Sequence, residues 1–198
     1  VEILSVGTEL LLGGTTNTDA RDISEMLTTI GINVFHHTVV GDNPERLKQA
    51  MEIAMGRADI IITPGGLGPT CDDLTKNVIA DALGLPLVYH PEEEERLRTY
   101  IERRHREITP NMFQQAYLPE GCTRFVNDWG TAPGCAIEKD GLTVIMLPGP
   151  PKECRKMMEY RVLPYLAGKS GGTIVSHNYK IFGMGESEME QILRPMMN

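Results

Sequence analysis

The chain has 198 residues, 41% of them hydrophobic, with a formal net charge of −8 and a pI of about 5.2. This length allows one domain with a sizeable core and a small appendage, and the apolar content excludes a chain that is disordered throughout. The negative charge disfavours a nucleic-acid backbone or an anionic membrane as the main partner. It still permits a small anionic substrate, because a metal ion or a local dipole can override net charge.

The four cysteines, at positions 71, 122, 135 and 154, have neither CxxC nor zinc-type spacing, which indicates reduced thiols. No apolar run reaches the ~18–20 residues of a membrane span, and no secretory signal pattern is visible. We therefore expect a cytoplasmic location with no membrane partner.

The first part of the chain alternates predicted strands and helices. Strands are predicted over 1–6, 32–40 and 58–63, and helices over 22–30, from Pro44 onward and over 74–83. The unbroken run Ile60-Ile61-Ile62 is typical of a parallel strand that is covered on both faces. This rhythm predicts an α/β fold of three layers, a mainly parallel sheet with helices on both faces.

The second part of the chain has a more mixed pattern. It predicts helices over 91–107, 109–117 and 152–166, and a hairpin over 135–147 that turns at Lys139-Asp140-Gly141. A linker over 168–172, a strand over 174–182 and a helix over 186–193 form a short β-α extension. We assign residues 1–168 to the main domain and 169–198 to a linker and the start of a small, truncated second domain.

A glycine-rich turn follows the third predicted strand. Its residues are Gly65-Gly66-Leu67-Gly68-Pro69-Thr70, and a helical pattern comes next. Glycines leave bare backbone amides that can approach an anion closely, so this turn is a candidate phosphate-binding loop. It is neither a Walker A loop nor a GxGxxG fingerprint. The alternative interpretation is a tight structural connection.

Two carboxylates, Asp72 and Asp73, follow the loop and are predicted to lie in the first helical turn. Thr70 as N-cap with Asp73 as its capping-box partner would explain Asp73, and Asp72 would favour the helix dipole. However, two carboxylates repel a nearby phosphate unless a cation lies between them. A phosphate site here therefore implies a hard divalent ion, with Asp73 and Asp72 as its candidate ligands.

Other polar residues follow the first two strands. Glu9 and Asp42 come after strands, and ligands of parallel sheets bind beyond the carboxyl ends of strands, so these acids should converge with Asp72 and Asp73. Helix capping alone would also explain Asp42. Asn17 and Asp19 start the next predicted helix, where capping by Asn17 or Thr18 is as plausible as ligand contact.

Several runs together resemble the N-terminal domain of the CinA (competence/damage-inducible) family, which is related to the molybdopterin-binding proteins MoaB, Mog and MoeA. The matching runs are residues 2–13, 65–75, 130–134 and 147–151, and residues 182–187 resemble the family segment that follows this domain. The runs stand in the family order, and the resemblance extends over almost the whole chain. Cys71 is a mild departure, since the family usually has a small residue or proline there. The resemblance implies a MoaB-like fold.

The resemblance also implies a divalent-metal-dependent ADP-ribose pyrophosphatase, using Mg²⁺, Mn²⁺ or Co²⁺ to split ADP-ribose into AMP and ribose 5-phosphate. The essential aspartate of the related molybdopterin enzymes falls on Asp73, and a second one on Asp42. Asp73, Asp42 and Glu9 are then catalytic candidates, and Pro148, Gly149 and Pro150 form the opposite wall.

We expect a small-molecule nucleotide as partner, no nucleic acid, and a homo-oligomer. The alternatives are a molybdopterin-binding or adenylylating protein of cofactor biosynthesis, and a non-catalytic nucleotide-binding module. Longer family members add a deamidase domain, which is not assigned to this chain.

Overall fold

The computed structural model describes residues 1–105, 107–168 and 180–196. Its strands are β1 (Glu2–Val6), β2 (His36–Val40), β3 (Ile60–Pro64), β4 (Leu87–Tyr89), β5 (Tyr117–Pro119), β6 (Thr123–Phe125), β7 (Gly134–Lys139) and β8 (Leu142–Leu147). Its helices are α1 (Thr8–Leu11), α2 (Thr18–Thr29), α3 (Pro44–Met55), α4 (Thr75–Ala82), α5 (Pro91–Glu102), α6 (Pro151–Met157), α7 (Leu163–Ala167) and α8 (Glu186–Leu193).

A six-stranded sheet organises the domain in the order β2-β1-β3-β8-β7-β6. The pairs β1–β2, β1–β3 and β3–β8 are parallel, whereas β7 runs antiparallel to both β8 and β6. The carboxyl ends of β1, β2, β3 and β8 therefore share one side of the sheet. The strands β4 and β5 form a separate antiparallel pair.

Alternate residues of each central strand pack on opposite faces of the sheet. Leu4 and Ile61 face a core with α3 and α4, while Ile3 and Ile62 face a core with α2, α6 and α7. All four side chains are completely buried. This two-sided burial explains the unbroken isoleucine run and confirms the predicted three-layer α/β fold with a mainly parallel sheet.

The hairpin turn was predicted correctly. Between β7 and β8, Asp140 and Gly141 both have positive φ, 52° and 85°, which is the geometry of a two-residue turn whose twist matches that of the strands.

Several element bounds differ from the predictions. The predicted strand 32–40 is ordered as a strand only over His36–Val40, and the helix predicted to end at 107 ends at Glu102, before a left-handed residue at His105 (φ 52°). The helix predicted over 109–117 is a 3-10 helix, Pro110–Ala116. The strands β4, β5 and β6 were missed, because three residues are too few to show a period of two.

The helix predicted over 152–166 is interrupted. Between α6 and α7 the backbone forms a π-helical turn, Met158–Val162. Pro164 has no N–H to donate to the carbonyl of Tyr160, which instead accepts a hydrogen bond from Arg161 Nη1 (3.4 Å). The missing helical bond gives a physical reason for the wider turn.

Near the C-terminus, α8 lies within the predicted helix and a short 3-10 helix, Arg194–Met196, follows it. The predicted linker and strand fall largely on 169–179, outside the described residues, and 180–182 have no regular structure. Within the described part of the chain, no helix has the length and apolar character needed to cross a membrane.

Candidate functional site

The loops that follow β1, β3 and β8 meet at van der Waals distance. Gly65 donates its backbone N–H to the carbonyl of Leu147 (3.0 Å). With φ of +103°, Gly65 occupies a region that favours glycine, and a Cβ there would lie 2.4 Å from the carbonyl oxygen of Val6. A Cβ on Gly149 would lie 3.2 Å from the Gly65 Cα. The glycines therefore bring three backbones together.

The middle of the glycine loop presents unpaired backbone amides. Those of Gly66, Leu67 and Gly68 make no hydrogen bond with any described residue. Pro69 has no N–H, and the Thr70 amide donates to Asp73 Oδ2 (2.9 Å). Pro69 and Thr70 therefore offer no free amide to an anion, and three amides of the candidate phosphate-binding loop are available.

Asp72 and Asp73 precede α4, whereas the sequence pattern predicted them in the first turn of that helix. Asp73 Oδ2 accepts hydrogen bonds from the amide and the hydroxyl of Thr70, and the Asp73 amide donates back to the Thr70 carbonyl (3.1 Å). These bonds close a local turn, so the helix begins only at Thr75, with Leu74 at its N-cap. Thr70 is therefore not the predicted N-cap, and its contacts orient the Asp73 carboxylate.

Reciprocal hydrogen bonds join the loops after β1 and β2. Asp42 Oδ2 accepts from the Thr8 amide (2.8 Å), and Thr8 Oγ1 accepts from the Asp42 amide (3.0 Å). Asn43, rather than Asp42, caps α3, because its Oδ1 accepts from the Arg46 amide (3.0 Å). The capping explanation of Asp42 is thus wrong for that helix.

Glu9 lies on α1, close to the end of β1. A Cβ on Gly7 would lie 2.6 Å from Glu9 Oε1, so the carboxylate folds back over the end of the strand. No sequence pattern predicted this short helix, which has only four residues.

The start of α2 supplies two more polar groups. Asn17 caps the helix by accepting from the Ala20 amide (3.1 Å), and its Nδ2 donates to Ser5 Oγ (3.0 Å) at the end of β1. Burial, together with the neighbouring charge of Asp22, raises the pKa of Asp19 to about 6. Asp19 thus exchanges a proton close to neutral pH.

These loops enclose a cavity of about 270 Å³, which we call the acidic cavity. Its walls include five carboxylates, those of Glu9, Asp19, Asp42, Asp72 and Asp73. None of the described residues that line it is Lys, Arg or His. The carboxylates of separate segments therefore converge as their positions after the strands predicted, in a space with no protein cation.

A second cavity, of about 350 Å³, is lined by the glycine-loop residues Gly66, Leu67 and Gly68. Gly66 and Asp73 line both cavities, and Lys76, Asn77, Gln114 and Tyr117 are among the other residues of the second. Lys76 is 9% exposed and its Nζ donates to the Gln114 carbonyl (2.5 Å). Burial lowers the pKa of Lys76 to about 8. We call this space the Lys76 cavity.

The acidic cavity has the donor chemistry of a hard cation, because carboxylate oxygens are preferred ligands of Mg²⁺ and Mn²⁺. Among the described residues, no three His, Cys, Asp or Glu side chains are close enough to form a complete protein cage. Mg²⁺ is usually held by one or two carboxylates together with substrate phosphates and water, so the acids present fit such an ion. The carboxylates of Asp73 and Asp42 accept backbone hydrogen bonds that fix their orientation.

The sequence of this chain matches a known family and named relatives. The family described as "Probable molybdopterin binding domain" matches residues 2–168. A CinA-like protein of Dictyoglomus turgidum is 50% identical over 196 residues, covering 99% of this chain and 48% of the relative. The chain belongs to the CinA family. A relative from Acetivibrio thermocellus, provisionally named a competence-damage inducible protein, is 52% identical to the CinA-family chain over 197 residues.

Solved structures agree with this membership. A crystal structure of CinA from Thermoplasma acidophilum, a protein of unknown function, has a TM-score of 0.74 at 32% identity and covers 84% of this chain and 96% of its own. MoaB from Thermus thermophilus has a TM-score of 0.54 at 23% identity, covering 85% and 93%, and shows the shared fold alone. The CinA-family chain spans about half the length of the two sequence relatives, 48% of each.

The predicted site residues of the CinA-family chain divide into three groups. Those that line the acidic cavity are Glu9, Asn17, Asp19, Asp42, Gly65, Gly66, Asp72, Asp73 and Gly149. Leu67 and Gly68 line only the Lys76 cavity. Pro69, Thr70, Pro148 and Pro150 line neither: Pro69 accepts a hydrogen bond from Asn111, Thr70 orients Asp73, Pro148 is buried, and Pro150 is the N-cap of α6.

Sequence reasoning missed several wall residues. Ser5, Thr15, Thr16, Pro64 and Pro151 also line the acidic cavity, and Lys76 lines its neighbour. Lys76 is the second residue of α4 and lies three residues after Asp73, and this closeness in sequence was a usable signal. Its burial depends on the 3-10 helix and β5, and no local pattern predicts that packing.

Proposed function

We propose that this domain hydrolyses the diphosphate bond of a nucleoside-diphosphate sugar, with ADP-ribose as the preferred candidate, in a reaction that depends on a divalent metal ion. The observation that carries the proposal is the convergence of the glycine loop with five carboxylates in one cavity. Unpaired amides suit phosphate oxygens, and carboxylates beside a phosphate require a cation. A diphosphate bound together with a divalent cation satisfies both demands at once.

Each group has a distinct task under this proposal. The amides of Gly66, Leu67 and Gly68 would bind oxygens of the diphosphate. Asp73 and Asp42, which Thr70 and Thr8 orient, would hold the cation. Bound there, Mg²⁺, Mn²⁺ or Co²⁺ would supply positive charge that offsets the diphosphate and lowers the pKa of a water molecule. Glu9, beside the end of β1, would orient the attacking water.

Proton transfer would involve Asp19. Its pKa of about 6 lets it accept or donate a proton near neutral pH, which matches the requirement for a general acid or base. The departing phosphate group needs little protonation, so the main contribution of the residues would be positioning and charge compensation.

The direct test incubates purified protein with ADP-ribose and each of the three metals, and separately with chelator, and measures AMP release. We expect turnover with metal and none with chelator. Asp73→Ala should reduce turnover by about 100-fold or more. The matched control is Asp81→Ala, because this exposed acid lies on α4 and pairs with Lys48, away from the cavity.

Two results would contradict the proposal. One is the absence of AMP release with every metal. The other is an Asp73→Ala variant that releases AMP as fast as the unaltered protein, which would remove Asp73 from the site. Binding of ADP-ribose without turnover would instead indicate a non-catalytic nucleotide-binding module.

A second candidate function is binding or adenylylation of molybdopterin in cofactor biosynthesis. The matched family description and the fold shared with MoaB favour it. Molybdopterin also carries a phosphate, so the same loop would serve. Tight molybdopterin binding together with no turnover of ADP-ribose would decide for this candidate.

A further inference from the structure

The two cavities beside the glycine loop differ in the charged side chains that line them. The acidic cavity has five carboxylates and no basic side chain among its described lining residues. The Lys76 cavity has one lysine and one acid, Asp73, which the two cavities share. A phosphate is therefore repelled in the acidic cavity unless a metal is bound, whereas in the Lys76 cavity the lysine offsets the charge of Asp73 and offers a protein cation to a phosphate without any metal.

Lys76 is positioned to act on a ligand in that cavity. Its side chain is buried beside the loop, where a charge is screened much less than at the surface. In the structure Nζ donates to one backbone carbonyl, that of Gln114, and an ammonium group has three N–H donors. Two donors thus remain for an anionic ligand. The backbone of Gly66, whose amide is unpaired, lines the same space.

We infer that the Lys76 cavity is a metal-independent phosphate subsite, in which Lys76 binds one phosphate group of a diphosphate while the metal-dependent part of the ligand lies in the acidic cavity. The glycine loop would then separate the two phosphates of one ligand, with Gly66 and Asp73 at the boundary. The inference rests on the diphosphate ligand of the proposed function, although not on its hydrolysis.

The competing explanation is structural: Lys76 would only anchor the 3-10 helix through the Gln114 carbonyl. The two explanations differ in what they predict for binding. An anchoring lysine affects every ligand and the stability of the fold alike, whereas a phosphate-binding lysine affects anions alone. Arginine in its place should preserve phosphate binding, because it keeps the charge.

The test measures binding of inorganic pyrophosphate, with adenosine as the uncharged comparison, by calorimetry in the presence of chelator. We expect the unaltered protein to bind pyrophosphate, Lys76→Gln to weaken that binding by about tenfold or more, and Lys76→Arg to retain it. Adenosine affinity should be the same in all three. Lys48→Gln removes an equal charge from a surface lysine paired with Asp81 and should change nothing.

Asn77→Asp provides an arm that leaves Lys76 intact and does not disturb the core, since Asn77 is exposed and lines the same cavity. The added carboxylate should weaken pyrophosphate binding several-fold. The inference is overturned if the unaltered protein binds no pyrophosphate without metal, or if neither Lys76→Gln nor Asn77→Asp weakens that binding. It is also overturned if Lys76→Gln weakens the binding of adenosine and of pyrophosphate equally. Should ADP-ribose not be hydrolysed while pyrophosphate binding depends on Lys76, the proposed function fails and the subsite stands.

Discussion

The carboxylates near the two ends of β1 differ in whether a basic side chain of the protein neutralises them. At the amino end, the side chain of Glu2 is fully buried and accepts hydrogen bonds from Arg57 Nε and Nη2 (both 2.8 Å) and from Thr38 Oγ1 (2.6 Å). At the carboxyl end, five acids surround a cavity whose described lining has no basic side chain. The negative charge at the amino end is neutralised by Arg57, whereas the negative charges at the carboxyl end can be balanced by a bound cation.

The pKa values differ in direction as this contrast requires. Burial acts to raise the pKa of Glu2, but the hydrogen bonds from Arg57 and Thr38 outweigh it and lower the pKa. At Asp19, burial and the charge of Asp22 act together and raise the pKa to about 6. A satisfied carboxylate stabilises the fold, whereas an unsatisfied one reduces stability and remains available for chemistry.

The largest effect is expected at the backbone contact that shapes the carboxyl end. Gly65→Ala should lower the free energy of unfolding by about 3 kcal/mol, because its Cβ would lie 2.4 Å from the Val6 carbonyl at a φ of +103°. Chemical denaturation measures this. Gly13→Ala is the control, since Gly13 also has positive φ (+75°) but has no other atom within 4 Å of the added Cβ.

Equal losses in the two glycine variants would mean that conformation alone, rather than the close approach to β1, accounts for Gly65. Close packing against Val6 would then not distinguish the carboxyl end of β1 from its amino end.

The next effect should appear at the amino end. Glu2→Gln should lower the free energy of unfolding by about 2 kcal/mol, since it replaces charge-assisted hydrogen bonds to Arg57 with neutral ones. Urea denaturation at pH 7 measures the loss. Pyrophosphate and nucleotide binding should be unchanged, because Glu2 lies at the opposite end of the strand. A binding defect in this variant would break the division between a stabilising end and a binding end.

A smaller effect, on function, is expected for Asp42. Asp42→Asn keeps an acceptor for the Thr8 amide but removes the charge. It should therefore raise the metal concentration that gives half-maximal ADP-ribose turnover by about tenfold, while changing the stability of the fold little. A titration of activity with Mn²⁺ measures the shift. Glu45→Gln, on α3, is the control for net charge. An unchanged metal requirement would restrict Asp42 to orienting Thr8.

The smallest effect is a dependence on pH. Because the pKa of Asp19 in the folded chain is about 6 and its ordinary value is 3.8, the folded state keeps a proton that the unfolded state has released between these values. The associated stability is complete below about pH 4 and is lost as the pH rises through 6. Asp19→Asn should therefore be more stable than the unaltered protein at pH 7, by about 1 kcal/mol after allowance for partial exposure.

Glu2 should show the opposite dependence, which makes the two variants a matched pair. Its lowered pKa contributes stability above the ordinary value of 4.5, and this is lost as the pH falls below it. At low pH, Glu2→Gln should therefore lose less unfolding free energy relative to the unaltered protein than it does at pH 7. The gain in unfolding free energy of Asp19→Asn should disappear at low pH. Unfolding measured at pH 4 and 7 gives both. If Asp19→Asn is no more stable than the unaltered protein at pH 7, the carboxylate of Asp19 does not destabilise the fold and the proposed contrast with Glu2 is wrong.

Much of the fold could be predicted because the signals are local. The unbroken apolar run Ile60–Ile62, the helical spacing of apolar residues and the Asp140-Gly141 turn are each visible within a short segment of the sequence. The identities of Glu9, Asp42 and Asp73 as site candidates followed from their places after parallel strands. The start of α4 was misplaced because the same Thr70–Asp73 contact fits both a capping box and a free turn.

The sequence by itself therefore determined the α/β fold, the glycine loop and the acids of the acidic cavity. Only the tertiary structure decided that three loop amides are unpaired, that Asp42 orients Thr8 instead of capping α3, and that Lys76 is buried beside the glycine loop. The reason is physical: a residue's periodicity depends on its neighbours in sequence, but its hydrogen-bond partners and its burial depend on segments that only folding brings together.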